Sequence, residues 1–178
     1  MINELFDSSK RALINPEDLV EYDDSFPKIV VSCFSRATFE RMVRDSGAVK
    51  ICEFDNANSC FETFRAVYEG TEMALVNADV GAAGCVALFE DVFARGAETL
   101  ILFGTCGVLD GSIEDCSIII PTTAVRDEGT SRHYVPDSHD ISVNEKYGPL
   151  FEEFLKQRGI SYHTGKVWTT DGVYRETR

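Results

Sequence analysis

The stretch Val80-Gly-Ala-Ala-Gly-Cys-Val-Ala-Leu-Phe-Glu-Asp-Val-Phe-Ala-Arg-Gly-Ala-Glu-Thr-Leu-Ile-Leu-Phe-Gly-Thr-Cys-Gly107 decides the fold. Val86, Phe89, Val92 and Phe93 fall on one helical face, Gly96 closes the helix, and Thr99-Leu-Ile-Leu-Phe103 follows as a strand apolar on both sides. A helix leading at once into a buried strand predicts a parallel crossover in a layered α/β domain. The strand empties into Gly104-Thr-Cys-Gly107, where two glycines bracket a polar pair and let the backbone come close to a ligand.

Upstream, Pro27-Lys-Ile-Val-Val31 predicts the first strand. It is followed by the loop Ser32-Cys-Phe-Ser-Arg36 and a helix carrying Phe39, Met42 and Val43 that stops at Gly47. Val49 to Phe54 and Phe64 to Tyr68 read as strands, and Glu69-Gly70 as a tight turn into Met73-Ala-Leu-Val-Asn77, which makes a hairpin. Downstream, Ser117-Ile-Ile-Ile-Pro121 predicts a strand, and the polar run Arg126 to Tyr134 a loop. Asn144 is placed to cap a helix with the apolar stripe Tyr147, Leu150, Phe151, Phe154 and Leu155, which Gly159 ends; Tyr162 to Trp168 follows as a strand. No repeat, low-complexity run or linker interrupts this alternation, so residues 1–178 are expected to form a single α/β domain.

Composition sets limits on partners. A chain of 178 residues with 44% hydrophobic and 26% charged residues can bury one ordinary core. The formal charge of -13 opposes binding along a nucleic-acid backbone, so an anionic ligand needs a local cationic pocket. The six cysteines contain no C-x-x-C pair, and reduced thiols in a cytoplasmic protein are expected. The start, Met1 to Asp7, has neither the basic nor the apolar part of a signal peptide, and no apolar run is long enough for a membrane span.

Phe64-Arg-Ala-Val-Tyr-Glu-Gly70, Val80-Gly-Ala-Ala-Gly84 and Gly104-Thr-Cys-Gly-Val-Leu109 resemble the uridine phosphorylase pattern of the nucleoside phosphorylase superfamily in order and spacing. Pro121 to Tyr134 and Val167 to Thr177 are similar to a bacterial subgroup of the same superfamily. The resemblance implies a three-layer α/β/α phosphorylase-like domain with a mixed central sheet. It implies phosphorolysis: phosphate attacks the ribose C1′ of a nucleoside, uridine being favoured, to give free base and ribose 1-phosphate. It implies no cofactor beyond inorganic phosphate as co-substrate, and a homo-oligomer, dimer or hexamer; the charge and the lack of a long apolar run argue against a nucleic-acid or membrane partner. The family's Met-Glu pair for the ribose hydroxyls and its last strand and helix would fall after residue 178, so the chain is expected to be C-terminally truncated and weakly active at most.

Site residues follow position by position. Arg36 falls on the family's phosphate arginine, with Ser32 where the family has a glycine; without the resemblance Arg36 is as readily a first-turn surface arginine. Thr105, beside Gly104, falls on the threonine that touches phosphate and ribose. Cys106, Gly107, Val80, Gly81, His133 and Tyr174 are expected around the ribose and base. Two family arginines fall on Leu102 and Ser59, so Arg126 or Arg132 is expected to substitute as the second cation. No catalytic acid or base is assigned. A rival reading makes Cys106 a nucleophile with His133 as base and Asp127 as its orienter, but Gly104-Thr-Cys-Gly107 is not a nucleophile elbow. A second rival is a truncated, catalytically weak module that binds nucleoside or phosphate, and the resemblance also leaves open a purine nucleoside phosphorylase or a related nucleosidase. Metal chemistry is disfavoured because His133, His139 and His163 form no ligand spacing with the cysteines.

Overall fold

The computed structural model describes residues 6–9 and 11–177, which divide into two compact units, Ser8–Thr105 and one that holds Cys106–Arg178. The first begins with a short helix, α1 (Pro16–Leu19), opened by Asn15 and Asp18 in a capping box. Its sheet is built from β1 (Ile29–Cys33), β2 (Val49–Asp55), β3 (Cys60–Tyr68), β4 (Thr71–Asn77) and β5 (Thr99–Phe103) in the order β2-β3-β4-β1-β5. β1 runs parallel to both β4 and β5, whereas β2, β3 and β4 form an antiparallel meander, so the sheet is mixed. The expected hairpin closes at Glu69 and Gly70, both at positive φ (48° and 80°), the geometry whose twist matches paired strands.

Helices α2 (Arg36–Ser46) and α3 (Ala82–Arg95) cover opposite faces of this sheet. Strand alternation explains the division. Val30, Ala74 and Val76 turn to Leu88, Phe89 and Val92 of α3 and to Phe26 and Phe54. Cys33, Leu75 and Ala66 turn to Phe39 of α2, with Met42, Val43, Phe64 and Met73 packed around them. The unit is therefore helix, sheet, helix in three layers. Gly47 ends α2 in the left-handed conformation, with φ of 62°.

The second unit is a smaller sheet in the order β7-β6-β8, made of β6 (Ile118–Asp127), β7 (Asp140–Ser142) and β8 (Tyr162–Thr170). β8 is parallel to β6 and β7 antiparallel. Helix α4 (Tyr147–Gln157) lies between β7 and β8 in the chain and buries Leu155. Asn144 Oδ1 accepts from the backbone N–H of Lys146 and Tyr147 (2.8 and 3.3 Å) in the turn ahead of the helix, whose N-cap is Lys146 and not Asn144 as expected. Pro121 brings no N–H to the ladder, and the register shifts between Pro121 and Thr123. Three differences from the sequence expectation concern the site, the first being that β1 runs on through Ser32 and Cys33, two residues expected in the loop. β6 continues through Arg126 and Asp127, which polarity alone had put in a loop, and the loop itself holds a 3-10 turn at Thr130–His133.

Candidate functional site

Cys33 is in register with Asn77 of β4 and Phe103 of β5, so three parallel strands end level with one another. The loops that leave them, from Ala78, Phe34 and Gly104, share the carboxyl edge of the sheet, where ligands of open α/β sheets sit. Hydrogen bonds tie this edge together: the backbone N–H of Ala78 and the side-chain Nδ2 of Asn77 both donate to the Cys33 carbonyl, at 3.0 and 2.5 Å. A Cβ on Gly104 would lie 2.9 Å from the Phe34 ring, so the β1 and β5 loops approach closely only because residue 104 is glycine. Gly81, at φ of 101°, is the N-cap of α3, and Ser35, whose hydroxyl accepts from Thr38 N–H, caps α2. Two helix N-termini therefore open near this edge and contribute positive potential.

Of the predicted residues, Arg36, Gly104, Thr105, Val80 and Gly81 all lie at this edge and are exposed. Arg36 occupies the first turn of α2, where its Nε donates to Glu40 Oε1 at 2.9 Å. Ser32 is different. It is fully buried and its hydroxyl donates to the Val76 carbonyl at 2.6 Å, so its side chain is committed to the sheet and is not a phosphate donor. Leu102 is in register with Ser32 on β5 and brings no charge. Ser59 and Arg36 line one open cleft of about 410 Å³, together with Phe39, Glu40, Phe61 and Asn77.

Sequence reasoning missed Asp79. Its carboxylate accepts from Val80 N–H (2.9 Å) and Asn56 Nδ2 (3.3 Å), and a Cβ on Gly84 would come within 2.5 Å of it, so Asp79 rests on the first turn of α3. An acid just before a helix start was the available signal.

The second unit holds the other predicted residues. Cys106, Gly107, His133 and Tyr174 are exposed. Arg132 pairs with Asp137. Arg126 departs from the expectation of a cation free to meet a ligand: it is 4% exposed, and its guanidinium donates to the Ser131 hydroxyl, the Pro136 carbonyl and Ser138. The backbone alternation of β6 turns this side chain inward, and the following loop wraps it with acceptors. Asp127 accepts from the Trp168 indole N–H at 3.0 Å, which engages the carboxylate that the nucleophile reading assigned to His133. Glu128 is also buried. Burial pushes its carboxyl up, but hydrogen bonds from Ser131 and Thr130 and the Arg126 charge outweigh it and hold the group below the usual glutamate range.

Glu53, Asp55 and Cys60 bring one ligand atom each within 4.8 Å of one another on the exposed end of the β2-β3 pair. The Cys60 thiol is pushed up to about 11 by its hydrogen bond to Asp55, by burial and by the neighbouring carboxylates, so it is protonated at neutral pH. Among the described residues, no helix is long and apolar enough to cross a membrane.

Comparison with known proteins decides the family. Residues 28–178 match the phosphorylase superfamily. The chain belongs to the phosphorylase superfamily. This member is 29% identical over 114 residues to a uridine phosphorylase of Thermococcus kodakarensis, covering 64% of this chain and 41% of that protein. It is 26% identical over 122 residues to a guanosine phosphorylase of Halorubrum lacusprofundi, covering 67% and 50%. It is 32% identical over 119 residues to a purine nucleoside phosphorylase of Plasmodium vivax, covering 66% and 48%. The superfamily fold is seen in the uridine phosphorylase of Vibrio fischeri ES114, which matches with a TM-score of 0.74 at 22% identity over 87% of this chain and 64% of that one. The chain spans about half the length of these sequence relatives. The α/β fold with its mixed sheet and the nucleoside phosphorylase resemblance, uridine phosphorylase-like, are thus borne out.

Proposed function

We propose that this protein cleaves a nucleoside with inorganic phosphate, uridine being favoured, and releases free base and ribose 1-phosphate without a further cofactor. The observation that carries the reading is the shared carboxyl edge of β4, β1 and β5, which groups Arg36, Gly104-Thr105 and Val80-Gly81. In the reaction a phosphate oxygen forms a bond to C1′, the C1′–N bond breaks, and its electron pair leaves on the base nitrogen, which takes up a proton. Charge builds up positively on the sugar and negatively on the base, so positioning and fixed dipoles are the main aids. Arg36 would hold the phosphate, with the backbone N–H groups of the Gly104 loop and the Thr105 hydroxyl beside it. His133, Tyr174, Cys106 and Gly107 are assigned to the ribose and base, and Arg132 to the second cation. A homo-oligomer, dimer or hexamer, in the cytoplasm belongs to the same proposal, as does a single domain over residues 1–178.

A second reading has a specific observation in its favour. Leu102 and Ser59 supply no charge, and the guanidinium of Arg36 is already engaged by Glu40, which suits a module that binds a nucleoside or phosphate with little turnover. Incubating the protein with uridine, inosine or guanosine, with and without phosphate, separates the two. Base released only when phosphate is present supports phosphorolysis and ranks the bases. Saturable binding without release supports the module, and neither release nor binding overturns both.

A further inference from the structure

Ser131 has every polar group engaged. Its N–H donates to Glu128 Oε2 at 2.9 Å, its hydroxyl donates to Glu128 Oε1 and accepts from Arg126 Nε at 2.8 Å, and its carbonyl accepts from the N–H of Tyr134 and Val135, both at 3.1 Å. Arg126 extends the same network. Its Nη1 donates to the Pro136 carbonyl and the Ser138 hydroxyl, both at 2.8 Å, and its backbone N–H donates to the His139 carbonyl at 3.0 Å. Arg126 is 4% exposed and Glu128 9%, so two opposite charges are withdrawn from water and linked through one hydroxyl. Glu128 and Ser131 lie in the loop itself, and Arg126 is the last residue but one of the strand before it.

We propose that Arg126 and Glu128 are positioning residues that act through Ser131 on the turn Thr130–His133, fixing His133 where it meets the nucleoside. The inference rests on the nucleoside-cleaving reading above. A charge pair in the interior is costly to desolvate and adds little stability over an apolar pair, so its best-attested gain is one defined conformation. What this pair defines is the loop from Glu128 to Ser138, because Arg126 holds both its middle, at Ser131, and its far end, at Pro136 and Ser138. The fork is needed for that: Nε and Nη1 reach two separate acceptor groups at once, and a lysine ammonium at the same place would serve as a single point. His133, two residues beyond Ser131, stays exposed while the backbone beneath it is held. Arg132 leaves the same turn to pair with Asp137, inside the clamped segment.

A double-mutant cycle with an exchange measurement tests this. Hydrogen exchange of the amides from residue 128 to 138 is followed in the wild type, Arg126→Lys and Ser131→Ala. The second variant removes only the hydroxyl that links the two buried charges and leaves both charges in place. Faster exchange confined to this segment is expected, and unchanged exchange in both variants overturns the clamp. The KM for the cleaved nucleoside is then compared in the wild type, Ser131→Ala, His133→Ala and the double variant. Each single change is expected to raise KM by about tenfold, the scale of one lost polar contact, with kcat changing less. The double variant is expected to be no worse than His133→Ala, because the effect of Ser131 passes through His133. Additive effects would show a purely structural role and overturn the inference while leaving the proposed activity intact. A wild-type protein that neither cleaves nor binds a nucleoside overturns the activity and this role together, and the exchange data then report the clamp alone.

Discussion

Arg36 stands in the first turn of α2 with its guanidinium shared with Glu40, one turn further on. On the proposed reading, phosphate competes with that carboxylate. Glu40→Gln is therefore expected to lower the phosphate concentration for half-maximal rate by about twofold, the size of an exposed helix pair. Arg36→Ala is expected to raise it by tenfold or more. Initial rates over a phosphate series check both, and equal values in all three proteins would remove Arg36 from the site. Glu128 makes a prediction about pH. Its carboxyl is held below the ordinary glutamate value in the folded protein, so the unfolded chain binds the proton more readily in the interval between the two values. The stabilisation is complete above the ordinary value and is lost as pH falls through the folded one. Acid unfolding followed by Trp168 fluorescence should show this loss, and Glu128→Gln should flatten it; an unchanged acid limb would contradict the assignment. At this scale the sequence was only half legible. Arg36 and Thr105 could be placed from their strand-end context, but residue type does not give side-chain direction. Ser32 and Arg126 both point inward, and the partners that bury Arg126 come from residues up to twelve positions away.

The elements were the most legible level because their signals are periodic. β5 is found where the all-apolar run Thr99–Phe103 put it, but at the edge of its sheet with Ile101, Leu102 and Phe103 exposed, not as the buried strand expected, because apolar composition does not tell an edge strand from a central one; Gly47, Gly96 and Gly159 end helices at positive φ as their positions imply. What the sequence hid was short or polar: α1 has a single turn, β7 has three residues, and the end of β6 is charged. Leu88 lies at the centre of the face that α3 buries, and Leu88→Ala is expected to destabilise the unit by about 2–5 kcal/mol through lost transfer energy and the cavity left behind. Urea unfolding measures it, and a loss below about 0.5 kcal/mol would show that α3 does not pack as described. The hairpin offers the opposite sign. Glu69 holds a positive φ that asparagine adopts more readily, so Glu69→Asn should add about 0.5–1 kcal/mol, and no gain in the same titration would argue against the turn geometry.

For the molecule as a whole, charge and site pull in opposite directions. The chain carries a formal charge of -13, and the proposed function requires it to receive an anion. Raising ionic strength from about 0.01 to 0.15 M shortens the screening length from about 30 to 8 Å, which removes long-range repulsion while leaving a direct Arg36 contact largely in place. The phosphate KM is therefore expected to fall over that range, and a steady rise would mean that the local cation, not the global field, governs entry. The division into Ser8–Thr105 and the unit holding Cys106–Arg178 could not be read from the chain, since no linker or change in composition marks it at Thr105. The central claim is that phosphate, and not water, attacks C1′ of a nucleoside held by this protein. Phosphorus NMR of the protein with uridine and phosphate tests it most directly. The account predicts a ribose 1-phosphate resonance that grows in step with released uracil as the phosphate signal declines; uracil released while the phosphate signal stays constant, or no uracil at all, would contradict it.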